Sequence, residues 1–162
     1  MAAHNKMMTS RGRVRRLSLL LTLLAGLAVL PGRAWAQADS RLAVIISPQG
    51  TSGDLSASDF RKIITGEKQR WPSGTKVSIA LMKTTNAVGE ATARQVFRMS
   101  GNELNKYWLA LVFQGRAKAP QFFASEADLA TFVRDTPGAI GIVSQPAVKD
   151  SKVAAVDGKD TL

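Results

Sequence analysis

The sequence predicts an α/β domain built around a mixed or parallel sheet. Three observations carry this reading: β-branched apolar runs of strand length, amphipathic segments headed by capping residues, and the alternation of the two along residues 37–162. No internal repeat or low-complexity segment interrupts the pattern.

After a polar lead at residues 37–40, Leu42-Ala43-Val44-Ile45-Ile46 reads as a buried strand, and residues 48–53 as a loop. Ser56 and Asp59 form a capping arrangement for a short helix. Its apolar residues Phe60, Ile63 and Ile64 share one face, and it ends at Gly66. Trp71-Pro72-Ser73-Gly74 turns the chain into a second strand over residues 76–81. The indole of Trp71 either covers a cleft or packs over that turn.

A polar loop of Lys83, Thr84, Thr85 and Asn86 leads to a helix over residues 87–98. Ser100 and Glu103 form a second capping box, followed by Leu104, Tyr107, Trp108, Leu111 and Val112 at helical spacing. Residues 115–120 form a basic loop. Ser125 and Asp128 cap a further helix that turns Leu129, Phe132 and Val133 inward. Pro137-Gly138 then precedes a buried strand over residues 139–143, and residues 153–156 read as a last, edge strand.

The first 36 residues are of another kind. Lys6, Arg11, Arg13, Arg15 and Arg16 form a positive region without an acid, and residues 17–30 are a nearly unbroken apolar run. Pro31-Gly32 breaks the run, and Ala34-Trp35-Ala36 supplies a small-x-small pattern. This reads as a secretory signal peptide cleaved after Ala36, with Ala36-Gln37-Ala38 as a second site. The rival reading is a retained anchor, but fourteen residues fall short of the ~20 that span a bilayer core. A basic leader explains Arg15-Arg16 without twin-arginine export. The expectation is a signal at residues 1–36 and one exported, periplasmic domain at residues 37–162.

The leader also changes the charge argument. The whole chain has a formal net charge of +10, and six positive charges and no negative one lie in residues 1–36, which leaves +4 for the rest. That value gives mild attraction to anions and no demand for nucleic acid as a partner. The chain has no cysteine, and its one histidine is His4. Residues 37–162 therefore have no Ser-His-Asp or Cys-His catalysis and no nitrogen- or sulfur-ligated metal. No cofactor is expected, and no spacing of Asp54, Asp59, Glu67, Glu90 and Glu103 converges two carboxylates on one site. The reading is of a binding or interaction module, not an enzyme.

Two places suit an anion. Thr84, Thr85 and Asn86 offer hydroxyls, an amide and free N–H groups where a helix begins, and Arg94 two turns on adds charge. The plainer alternative is that Thr85 or Asn86 only caps the helix, and Glu90 places an opposing charge there. The second place is the basic loop with Arg116 and Lys118 beside Tyr107 and Trp108, suited to an anion or a partner protein or simply solvated.

Four stretches together resemble the periplasmic phosphate-binding proteins of ABC transporters. They are Leu42-Ala43-Val44-Ile45-Ile46-Ser47 with Leu55-Ser56-Ala57-Ser58-Asp59-Phe60; Ile64-Thr65-Gly66-Glu67-Lys68 with Trp71-Pro72-Ser73-Gly74; residues 99–108; and Thr136-Pro137-Gly138-Ala139-Ile140-Gly141-Ile142. The resemblance implies a single lobe of a type 2 periplasmic-binding-protein-like fold, a mixed sheet flanked by helices. It also implies a small phosphate-like anion as ligand and a membrane transporter as an onward partner. Members usually have two lobes, and this chain resembles one. The family's Ser-Gly-Thr-Arg motif falls on Ala91-Thr92-Ala93-Arg94, where methyl groups replace two hydroxyls. Each lost hydrogen bond to a charged anion weakens binding by about 1–3 kcal/mol. A second role follows from that loss: an accessory protein of a cell-envelope complex with the same fold and no small ligand.

Overall fold

The computed structural model describes residues 41–49, 53–148 and 151–162. The predicted leader and the lead at residues 37–40 lie outside them. Six strands form one sheet in the order β2-β6-β1-β5-β3-β4. They are β1 (Leu42–Ile46), β2 (Asp54–Leu55), β3 (Ser78–Met82), β4 (Gln121–Phe123), β5 (Ala139–Ser144) and β6 (Lys152–Val156). β1 is antiparallel to both β5 and β6, whereas β3 is parallel to β4 and β5, and β2 to β6. β1 thus runs against the other five, which makes the predicted α/β sheet a mixed one.

Side chains alternate across this sheet as the strand period requires. Leu42, Val44 and Ile46 of β1, with Ile140 and Ile142 of β5, face helices α1 (Ala57–Ile64), α2 (Ala87–Thr92) and α3 (Gly101–Phe113). Ile45, Ala80, Met82 and Val143 face α4 (Glu126–Asp135). Covered on both faces, β1 and β5 need apolar residues at nearly every position, and their unbroken runs have that cause. All the buried apolar residues in these two clusters lie between Leu42 and Val156, so the unit Gln37–Leu162 contains its own core.

The predicted caps are present. Ser56, Ser100 and Ser125 accept from the N–H groups of Asp59, Glu103 and Asp128, and the Ser100–Glu103 box is reciprocal. Each such cap is worth about 1 kcal/mol. Phe60, Ile63 and Ile64 are buried, as are Leu129 and Val133. Trp71 belongs to the core, and its Nε1 donates to Gly138 O at 2.9 Å, so it packs over the turn instead of covering a cleft.

Four features depart from the sequence reading. The strand over residues 152–156 is not an edge strand, because the two-residue β2 pairs outside it. Two residues are too few to show a period. β4, three residues long, escaped notice for the same reason. The predicted helix over residues 87–98 changes at Ala93–Phe97 into a π-turn, which places Phe97 against Tyr107 and Trp108 (centroids 6.5 and 6.4 Å). Arg98 then takes a left-handed conformation, φ 58°, to lead into Ser100. Val112, set at core spacing, is exposed, together with Leu109 and Phe113.

The Pro137–Gly141 string has a physical reason at each glycine. Gly138 has φ +76°, and a Cβ there would collide with the Lys76 carbonyl. At Gly141 a Cβ would lie 2.6 Å from Leu129 Cδ2, so its absence lets α4 approach β5. Gly138→Ala combines strain and collision and is expected to destabilise the fold by about 2–3 kcal/mol, lowering Tm by roughly 10 °C. A calorimetric Tm within a degree or two of the parent would show that the turn relaxes freely.

Candidate functional sites at the two ends of the parallel strands

The first site follows the carboxyl end of β3. Lys83 N donates to Phe123 O (2.9 Å) and Asn86 N to Lys83 O (3.1 Å), which folds the loop into a turn. Asn86 is the N-cap of α2, its Oδ1 accepting from Gly89 N at 2.8 Å. Gly89 sits so close to β3 that a Cβ would collide with the Lys83 carbonyl. The first two helical N–H groups, of Ala87 and Val88, have no intrahelical acceptor.

The site's predicted side chains are only partly brought together. Thr84 Oγ1 accepts from Asn105 Nδ2 at 3.2 Å, and Thr85 is exposed. Arg94, with 66% of its side chain exposed, pairs with Glu90 Oε1 at 3.0 Å through both Nε and Nη2. Its charge is therefore drawn to a neighbour one turn away. A Cβ at Gly101 would lie 2.6 Å from Glu90 Oε2 and 2.8 Å from Thr84 Cβ, so the starts of α2 and α3 meet here. Of the two methyl groups in the Ala91–Arg94 stretch, Ala93 is fully buried and Ala91 packs against the same core.

The second site lies at the opposite, amino-terminal ends of β3 and β4. It is a cleft of about 440 Å³ whose charged lining is Lys68, Arg70, Lys76 and Lys118 and whose walls include Ile79 and Phe132. Arg70 and Lys76 face each other across an isolated antiparallel bridge on the two arms of the Trp71–Gly74 turn. Gln69 Nε2 donates to Arg116 O at 2.6 Å, tying the arm to the basic loop. Of the loop's two predicted cations, Lys118 lines the cleft, and Arg116 contributes its backbone carbonyl. Lys68, Arg70 and Lys76 were missed in the sequence. Their signal is three cations on the arms of one tight turn, with Glu67 the one acid in residues 67–76.

Lys68 pairs with Asp59 at 2.8 Å. The hydrogen bond from Lys68, and then that from Ser56, hold the Asp59 carboxyl below its ordinary range. Among the described residues, no group of three or more His, Cys, Asp or Glu side chains could hold a metal ion, and no helix is long and apolar enough to cross a membrane.

The fold has counterparts among solved structures. An ABC-type phosphate transport receptor from Vibrio cholerae matches with a TM-score of 0.57 at 15% identity, over 75% of this chain and 48% of its own. PstS from Borrelia burgdorferi matches at 0.57 and 16%, over 74% and 48%. A putative phosphate ABC transporter substrate-binding protein with bound phosphate from Clostridium perfringens matches at 0.55 and 18%, over 74% and 46%. The chain shares their fold. It spans about half the length of these structures. No family model and no curated protein sequence matches it.

The Asp59 pair has a pH signature. A carboxylate depressed in the folded state stabilises the fold above its ordinary value near 4, and that contribution is lost as pH falls through the depressed value. Lys68→Gln is expected to raise the Asp59 pKa toward the ordinary value in an NMR titration of its side-chain carbonyl. An unchanged titration would remove Lys68 as the cause.

Proposed function

We propose that the chain is an exported, periplasmic module of the substrate-binding-protein fold that takes a small phosphate-like oxyanion at the start of α2. The observation that carries this reading is position. In open α/β sheets, ligands gather outside the carboxyl ends of the strands where the connections diverge to opposite faces. β3 is such a strand: α2 and α3 follow it on one face, and α4 returns to β5 on the other. The N–H groups of Ala87 and Val88, the hydroxyls of Thr84 and Thr85, and the Asn86 turn supply donors there. Arg94 supplies charge once it leaves Glu90.

Binding at this site is weak, for two reasons. Glu90 competes for Arg94, and Ala91 and Ala93 provide no hydroxyl. Structures of the same fold include phosphate-transport proteins, which supports an oxyanion as the ligand class and a membrane transporter as the onward partner. A second reading, an accessory module that docks on an envelope protein, is favoured by one observation. Leu109 and Phe113, 57% and 81% exposed, form an apolar strip with Val112 on the outer face of α3.

A thermal-shift titration of residues 37–162 with phosphate, sulfate and small carboxylates tests the proposal. At a hundred times its dissociation constant, a ligand raises stability by about 2.7 kcal/mol. A saturable shift is expected for phosphate, lost in Arg94→Ala and enhanced in Glu90→Gln. No shift with any of these anions would discard the anion reading in favour of the docking one. Export has its own check: amino-terminal sequencing of the protein recovered from the periplasm should read Gln37, whereas an intact Met1 would overturn the cleaved leader.

A further inference from the structure

The cleft at the amino-terminal ends of β3 and β4 is independent of the α2 site and has a distinct chemistry. We propose that it binds a small organic anion, a carboxylate or phosphate monoester head on an apolar body. Four observations converge on this class.

Charge is the first. Among the described residues, Lys68 is paired with Asp59, but Arg70, Lys76 and Lys118 make no ion pair, and no carboxylate is among the lining side chains. Like charges directly opposite each other on paired strands are destabilising. The bridged Arg70 and Lys76 are such a pair, and Lys118 adds a third cation from another loop. An anion between them turns that repulsion into attraction.

Size and lining are the second. The cleft's 440 Å³ falls within the range of small-molecule sites, about 300–1,000 Å³, and far exceeds what a bare oxyanion fills. Ile79 and Phe132 offer apolar wall beyond the cations, so the remaining volume suits a hydrocarbon or aromatic body. Preorganisation is the third. Arg70 Nη1 donates to Gly74 O at 2.8 Å, which orients the guanidinium, and Val77 N donates to Gln69 O at 2.9 Å across the arms. The fourth is the rear wall, where Gly66 with φ +80° packs against Ala117 and Trp108; an added Cβ would lie 3.0 and 3.1 Å from them. The cations therefore stand on a frame already held in place.

The experiment is an amide NMR titration of the Gln37–Leu162 unit, which contains its own core, with phenyl phosphate, benzoate, inorganic phosphate and phenol. Phenyl phosphate and benzoate are expected to give saturable shifts at Lys76–Ile79, Lys118, Ala119 and Gln121. Inorganic phosphate should bind there about tenfold more weakly or not at all, because it leaves the apolar walls uncovered. The double variant Lys76→Glu/Lys118→Glu should lower phenyl phosphate affinity by about tenfold or more, with an unchanged fold by circular dichroism. Three results would each overturn the proposal: no saturable shift at these amides, affinity unaltered by the charge reversal, or phenol binding as tightly as phenyl phosphate. Shifts confined to Ala87 and Val88 with inorganic phosphate would report the α2 site alone and would also count against the cleft.

Discussion

One carbonyl, that of Gly138, joins two separate segments of this molecule to the start of β5. It accepts from the Trp71 indole at 2.9 Å and from Ser78 N at 3.1 Å, while Gly138 N donates to Gln49 O at 3.0 Å. The first bond anchors the Trp71–Gly74 turn, the second begins the β3–β5 ladder, and the third ties in the segment leaving β1. Only a residue without a Cβ can stand so near the Lys76 carbonyl at φ +76°. The register Ser78↔Ala139 follows, and with it the faces that Ile79 and Ala80 present. The arms bearing Arg70 and Lys76 hang from the same point, so the cleft depends on the constraint that sets the sheet.

The two ends of the sheet handle charge in opposite ways. At the carboxyl end of β3, Glu90 and Arg94 largely cancel each other, and the donors left over are backbone N–H groups and hydroxyls. Such donors favour a small oxyanion that fits among them, and their strength comes from geometry more than from net charge. At the amino-terminal end, Arg70, Lys76 and Lys118 make no ion pair among the described residues, and their attraction acts over a longer range, weakening with salt. On the two proposed bindings, one end would recognise by shape, the other by field.

Legibility in the sequence followed the length of each signal. β1 and β5, buried on both faces, show as continuous apolar runs, and the serine caps at 56, 100 and 125 mark helix starts because a hydroxyl there satisfies an orphan N–H. β2 and β4 are too short for any period, and that is why β6 read as an edge. The π-turn has no proline or glycine within it to announce it; packing of Phe97 against Tyr107 and Trp108 decides it. Leu109, Val112 and Phe113 share helical spacing with true core residues, and spacing alone does not say which apolar face a neighbour covers. For the sites, the order Lys83-Thr84-Thr85-Asn86 before a helix was visible because the loop is contiguous. The cleft draws its cations from residues 68–76 and 118, brought together by the Gln69–Arg116 tie, the packing of Gly66 on Ala117 and the Trp71 turn, and no linear pattern records that meeting.

The missing hydroxyls at the end of α2, at Ala91 and Ala93, are themselves explained by packing. Ala93 is fully buried where the helix widens into its π-turn, and its neighbours are core residues. A serine there would bury a hydroxyl, at about 1–3 kcal/mol if unpartnered. Thr92 between the two alanines keeps its hydroxyl, yet donates it to Val88 O at 2.8 Å, so it too faces inward. The stretch that resembles an anion motif thus lies with Ala91, Thr92 and Ala93 against the core, and only Arg94 emerges. Oxyanion chemistry at this end must come from the preceding loop and the first N–H groups of the helix. Packing sets that limit, and substitution of single side chains along 91–93 cannot lift it without disturbing the contact of this helix with the sheet.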